Sequence, residues 1–500
     1  MRRALILALL LCSIPAFGTS YFISPSGSDG NNGLSSGAAW LSPNHALNCG
    51  DTISAAAGTY SSANFQTGHW GTVTCAGNNN AAWLICATFD ACKLSSTSSD
   101  ALWVDKSYWA IVGWEATTST NIFAACFHAG PNSNTNIHHI IFADNVANGC
   151  MGGGFTAYDH STTGSVDYIV YIGNIAYNAA QGTGACYSGL NIYQPIQSDG
   201  NSGTHMYVAG NFSYHNIDGS SCDSAGAGKT TDGEGINFDT WDFSQGGGTA
   251  YVQQGVIQNN IEGWNGTRGI EVENNSAGGT HAPIFIKFNT AIGSGVDPNM
   301  AFPAGIAEIG IIGALNVNVQ NNLVYTVHQF TTGSNNFYAL GMTNGNGTDT
   351  VDNNYAAGIS GNNTYLQTST GFSYGAGNVL GTNPSFPSTT VPSAPSCSGQ
   401  TNTATCMSTV ISNAVPTVTA AKAYGYQTVS NTSITDTLFP AWLCTATGVM
   451  NANIPAGLVT PGCGVASGSV TSGMHCQSGS PTGGLPGPGG TPPTQGLPCG

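Results

Sequence analysis

The chain of 500 residues carries 24 Asp+Glu against 8 Lys+Arg, a formal net charge of −16, and only 6% of its residues are charged. Nucleic-acid binding needs a basic footprint, so that class is excluded, and adhesion to anionic membrane is disfavoured. Abundant Gly, Ser, Thr and Asn with few strong helix formers point to short strands and turns rather than helices.

The first segment, MRRALILALLLCSIPAFGTS, combines two arginines, an apolar run and a small-residue exit. This is the pattern of a secretory signal peptide over residues 1–18, with cleavage expected after Gly18. The run is too short to span a membrane, and no later stretch offers 18 consecutive apolar residues. A secreted, extracellular monomer is expected. Without Arg2 and Arg3 the cations are Lys93, Lys106, Lys229, Arg268, Lys287 and Lys422. Of the 15 cysteines only Cys12 falls in the leader; the rest are even in number and form no CxxC pair, which implies an oxidising compartment. Pairing between near neighbours is the simplest arrangement: Cys49–Cys75, Cys86–Cys92, Cys126–Cys150, Cys186–Cys222, Cys397–Cys406, Cys444–Cys463 and Cys476–Cys499.

Residues 19–99 are expected to form an N-terminal cap and the first coils of a solenoid, and residues 100–380 its body. The body repeats one phrase, a turn followed by a short apolar strand and Asn: GNIAYN (173–178), GNFSYHN (210–216), NNIEGWN (259–265), FNTAIG (288–293), NNLVYT (321–326) and NNYAAG (353–358). A second phrase lies between: GLNIY (189–193), GINFD (235–239) and GIEVE (269–273). Short strands repeating at an interval of about thirty residues mark a stacked solenoid. The reading is all-β, a right-handed parallel β-helix, with Asn side chains laddered along one turn. GTNPSFP (381–387) opens a C-terminal disulfide-containing region, 381–464. Residues 465–500, rich in Gly, Pro, Ser and Thr, read as a flexible tail. Two GxSxG matches, GLSSG and GFSYG, lack the strand–turn–helix context of a nucleophile elbow, and DSAGAGKT follows no apolar strand; none carries function.

The segment 231–242, TDGEGINFDTWD, gathers Asp232, Glu234, Asp239 and Asp242 in a chain that otherwise avoids charge. Alternation turns Ile236 and Phe238, Ile270 and Val272, and Leu190 and Ile192 inward. If the three phrases stack, their outward residues form two columns: Asn191, Asn237, Glu271 and Tyr193, Asp239, Glu273. Asp239 and Glu273 then stand about one coil, roughly 5 Å, apart. Such carboxylates repel unless one is protonated or a cation intervenes. Oxygen ligands without Cys or His suit Ca²⁺, so Asp232, Glu234, Asp239 and Glu271 are candidate ligands. Trp241 and Trp264, with Asn237 and Tyr193, are candidates for binding sugar. Lys229 and Arg268 are the nearby cations.

The entry segment YFISPSGSDGNNG (21–33) with CGDTISAAAGTY (49–60) resembles that of secreted pectate-lyase-like β-helix proteins. The resemblance implies a capping helix, here AAWLSPNHAL (38–47). The central coils, over most of 140–290, resemble those of family-9 polysaccharide lyases, in which aspartates hold Ca²⁺ and a lysine abstracts a proton. Asp232-Gly233 matches that pattern, but Asp239 stands near the place of the lysine, leaving Lys229 or Arg268 as base. The expectation is a Ca²⁺-assisted polyuronate lyase. The alternatives are a glycoside hydrolase using Asp239 and Glu273 as its acid and base, and a non-enzymatic glycan-binding solenoid or adhesin.

Overall fold

The computed structural model describes residues 18–426, less 76–80, 133–134, 159–163, 185, 220–227, 243–248, 275–280, 302–305, 328–336, 344–348, 359–365 and 367–373, together with 462–463 and 475–476. The leader up to residue 17 and the tail from 477 lie outside the described residues, as do Cys222, Cys444 and Cys499 of the expected bridges.

Strands stack in three all-parallel sheets. The first has 11 strands, from Ser20–Ile23 to Thr350–Asp352; the second has 11, from Gly58–Ser61 to Val379–Leu380; the third has 8, from Leu102–Val104 to Tyr338–Thr343. The chain visits the sheets in rotation, so one circuit is one coil and each strand pairs with its counterpart in the next coil. This is a right-handed parallel β-helix, the hand that crossovers between parallel strands adopt. Alternation does the sorting. Ile236, Phe238, Ile270, Val272, Leu190 and Ile192 all lie in the apolar core inside the coil.

The repeated Asn of the first phrase forms the expected ladder. Asn145, Asn174, Asn211, Asn260, Asn289, Asn322, Asn354 and Asn378 stand one per coil, at the corner between the first and second sheets. Each Nδ2 donates to the next Oδ1, at 2.9 Å for Asn260 to Asn289 and 3.2 Å at either end. The same Oδ1 accepts a backbone N–H, as Asn289 does from Asn260 N at 3.0 Å. The amide also donates to a carbonyl of the preceding coil, Val208 O at 3.1 Å for Asn260. The preceding residue takes a left-handed conformation that turns the corner: Gly173 (φ 63°), Gly210 (φ 66°), Asn259 (φ 55°) and Asn321 (φ 57°). Gly and Asn tolerate that region best, which is why GN and NN head the phrases.

The segment 38–47 is not the expected capping helix. It contains the end of a 3-10 turn, Ser36–Ala38, and then runs extended, with Trp40 bridged to Ile23. Phe22 N donates to Gly33 O and Trp40 N to Phe22 O, both at 2.8 Å, so a loop covers the free edge of the first strand. Pro43 disfavours helix in the residue before it, and the loop satisfies the strand's exposed groups directly.

Four of the expected bridges are present: Cys49–Cys75, Cys86–Cys92, Cys126–Cys150 and Cys397–Cys406. After the last coil the chain turns back over the outer face of the second sheet. Thr389 O accepts from Trp264 Nε1 (3.0 Å), Ser393 O accepts from Tyr214 Oη (3.1 Å), and Thr403 N donates to Asp144 Oδ1 (3.1 Å). Met407, Val410, Ala414 and Tyr426 complete an apolar cluster with Ile175, Phe212, Ile261 and Leu323. The outer face of the second sheet is therefore covered.

Replacing Asn260 by Ala removes a laddered amide from the middle of the stack and leaves its buried donors and acceptors unmatched. The expected loss is about 2–4 kcal/mol, read as a lower denaturation midpoint. An unchanged midpoint would show that the ladder adds nothing to stability.

Candidate functional site

The three strands carrying the second phrase are neighbours in the third sheet, in the register expected from alternation. Asn191 pairs with Asn237 and Asn237 with Glu271; Tyr193 pairs with Asp239 and Asp239 with Glu273. In the following coil Glu271 pairs with Gly310.

Outward direction does not mean exposure. Asn191, Asn237 and Glu271 are buried, while Tyr193, Asp239 and Glu273 are half-buried. Asn237 is therefore closed off from solvent, contrary to the sugar-binding role expected of it, and its Oδ1 has no hydrogen-bond partner. Glu234 is wholly buried: Ser188 Oγ donates to its Oε2 at 2.7 Å and Thr267 Oγ1 to its Oε1. Gly233, at φ 92°, makes the tight turn into this strand, and a Cβ there would stand 2.8 Å from Asp218 N.

Arg268 reaches into the same cluster. Its Nη1 lies 2.8 Å from Glu271 Oε1 and 3.8 Å from Glu234 Oε1. The side chain crosses Gly310, where a Cβ would fall 2.6 Å from Arg268 Cδ. Burial works against the guanidinium charge, but Glu271, Glu234 and Glu273 outweigh it and raise the Arg268 pKa further. Arg268 is thus fixed as a cation and is no proton acceptor.

The carboxyls are pushed upward. Burial, then the neighbouring Glu273, raises Asp239 to about 8, and burial raises Glu273 although Arg268 opposes the shift. Burial and Glu234 raise Asp232, and burial raises Glu271. The surroundings of Asp239 and Glu273 differ: Arg268 opposes the rise of Glu273, while Glu273, Glu234 and Asp242 add to that of Asp239.

Several expected members lie elsewhere. Trp241 turns into the core, its ring 4.6 Å from Phe238 and its Nε1 donating to Ile192 O at 3.1 Å. Trp264 belongs to the second sheet, buried under the C-terminal segment. Neither offers a face to a sugar. Lys229 is exposed beside the Thr230–Met300 bridge and joins none of the ion pairs among the described residues. Lys287 lies on the first sheet, over the Phe285 ring.

The four expected Ca²⁺ ligands do not fit a cation. No three of Asp232, Glu234, Asp239 and Glu271 bring their oxygens within 4.8 Å of one another, although Glu234 and Glu271 share a side-chain hydrogen bond, and a guanidinium already lies against Glu271. Among the described residues one acid-containing trio does converge, Asp167, Asp199 and His205. There Asp167 already accepts from Tyr168 N, His205 Nδ1, Tyr251 Oη, Ser198 N and Ser198 Oγ. Sequence reading missed both this hub and the pair of His128 Nδ1 and Asp100 Oδ2 (2.8 Å) on the third sheet, because their members are far apart in the chain.

No protein-family model matches the chain, and no curated protein matches it. Among solved structures it is similar to pectate lyase Pel9A, at 17% identity over 74% of this chain and 82% of that one, TM-score 0.39. A rhamnogalacturonan lyase follows at 13% identity, 67% and 87% coverage and TM-score 0.34. The GH136 lacto-N-biosidase from Eubacterium ramulus has 10% identity, 72% and 67% coverage and TM-score 0.34. None of these reaches a TM-score of 0.5, and the β-helix is established by the chain's own strand register.

The raised carboxyls fix the sign of the pH dependence. Asp239, Asp218 and Glu308 stand at about 8 and Asp349 at about 6, each chiefly through burial. Glu262, wholly inside the coil, is raised well above its ordinary value, also by burial. The folded chain holds protons that the unfolded chain releases. This contribution is complete below about pH 4 and is lost as pH rises through about 8. Calorimetry from pH 5 to 9 should show a falling melting temperature; a rise over that range would contradict the protonated core.

Proposed function

We propose that the protein hydrolyses a neutral polysaccharide at the outward carboxyl pair Asp239 and Glu273. The observation that carries this reading is their direct register on adjacent strands, with Asp239 raised to about 8 and Arg268 opposing the burial-driven rise of Glu273. An acid that keeps its proton at neutral pH beside a second carboxyl is what glycosidic cleavage needs. Asp239 donates its proton to the glycosidic oxygen as the C–O bond breaks and Glu273 bonds the anomeric carbon; water then cleaves that bond, giving its proton to Asp239 and its hydroxyl to the sugar, and frees Glu273. Neighbouring strands lie about 4.8 Å apart, which suits the carboxyl spacing of about 5–5.5 Å in retaining enzymes.

Two features favour hydrolysis over the polyuronate lyase expected from the sequence. Proton abstraction needs a base of suitable basicity, and Arg268 is locked in its charged form by its glutamates while Lys229 stands outside the ion-paired cluster. A uronate chain would also need cations along the face that binds it. The columns Trp103, His128, Thr156, Asn191, Asn237, Glu271 and Tyr158, Tyr193, Asp239, Glu273 contain neither Lys nor Arg. Tyr193, one coil before Asp239 and set at 69° to the ring of Tyr158, is the aromatic platform closest in register to the acids.

Asp239→Asn should lower kcat on a responsive glycan by about 10²–10⁴-fold. Its melting temperature should hold or rise, because one of two repelling carboxyls is removed. Wild-type activity should decline as pH rises through about 8, where Asp239 loses its proton. Reducing ends should appear without a UV-absorbing unsaturated product. An unsaturated product formed equally by wild type and Asp239→Asn would establish the lyase reading; binding without cleavage across a broad glycan panel would establish the adhesin.

A further inference from the structure

We propose that Arg268 is the built-in cation of this acid cluster, holding Glu234, Glu271 and Glu273 together in place of a bound metal ion. The sequence alone offers oxygen ligands in need of positive charge, and a divalent cation is the ordinary answer. The fold supplies another. Arg268 leaves the turn at the head of the strand Ile270–Glu273, and its stem crosses the neighbouring coil at Gly310, the position in the Asn191–Asn237–Glu271 column that has no side chain. Any larger residue at 310 would push the stem away. With that space free, Nη1 settles 2.8 Å from Glu271 and 3.8 Å from Glu234. Glu234 is held for this contact from its other side by Ser188 and Thr267. The guanidinium is attracted to Glu273 as well, so three glutamates on two successive coils share one fixed charge.

Arg268 also opposes the rise of Glu273, and to that extent the inference touches the proposed reaction. The charge balance itself does not depend on any activity. Deleting the guanidinium would leave Glu234, Glu271 and Glu273 facing a vacated space lined by oxygen, a ligand set suited to a hard divalent ion. The variant should therefore acquire the metal response that the wild type lacks.

The test is thermal unfolding of chelator-treated protein at pH 7.5, with and without millimolar CaCl₂, against NaCl of matched ionic strength. Wild type should show no Ca²⁺-specific shift. Arg268→Ala should melt several degrees lower and regain stability at pH 7.5 with CaCl₂ but not NaCl. Arg268→Lys should fall between the two and remain indifferent to CaCl₂. A Ca²⁺-specific rise in wild type that disappears in Glu271→Gln would overturn the inference, since the cluster would then hold a metal of its own. It would equally be overturned if Arg268→Ala melted like wild type with and without CaCl₂. Should Arg268→Ala fail to fold, the wild-type titration and Arg268→Lys still decide the matter, and neither depends on finding a substrate.

Discussion

The Asn ladder is the constraint from which the rest of the structure follows. Each amide bonds a backbone N–H, a carbonyl of the preceding coil and the next amide, so a coil cannot slip against its neighbour without breaking contacts on both sides. A slip of one residue in any strand would exchange its inward and outward sets. Pinning the corner between the first and second sheets supports the register that the third sheet's own pairing also holds. Asp239 stands beside Glu273, rather than beside Val272, in the register of the paired strands, and Asn260 and Asn289 lock the following corner of the same coils.

What the sequence made legible is what repeats. The Asn phrases gave the coil and its ladder, and the GI phrases gave the register of Asn237 on Glu271 and Asp239 on Glu273. What it hid depends on coverage and long-range contact. Trp241 and Trp264 each follow a strand in the same way as a groove-lining aromatic would, yet one folds inward onto Phe238 and the other is roofed by residues more than a hundred positions later. Burial of the Asn237 column was equally hidden, because alternation separates inside from outside but not open from covered. The capping segment failed as a helix for a local reason, Pro43, and succeeded as a cap because backbone pairing needs only an extended loop.

Coverage also narrows where chemistry can occur. The C-terminal segment closes the outer face of the second sheet and joins the apolar cluster there. The outer face of the first sheet carries the ring stack His139, Tyr168 and His205 and the saturated Asp167, an arrangement that tightens packing and has no oxygen of Asp167 to spare. On the third sheet the outward carboxyls Asp239 and Glu273 remain half-open, whereas the half-open Glu115 of the second sheet is paired with Lys93.

Stacking itself sets the proton balance of those two groups. A parallel coil brings equivalent positions of successive strands to within about 5 Å whether or not their charges agree. Two carboxyls at one position must therefore share a proton or find a cation, and this chain does both: Arg268 serves the Glu271 side, and Asp239 keeps a proton on the other. The guanidinium reaches Glu271 and Glu234 and also opposes the rise of Glu273. That reach depends on Gly310 in the adjoining coil, where a residue without a side chain leaves the stem its path.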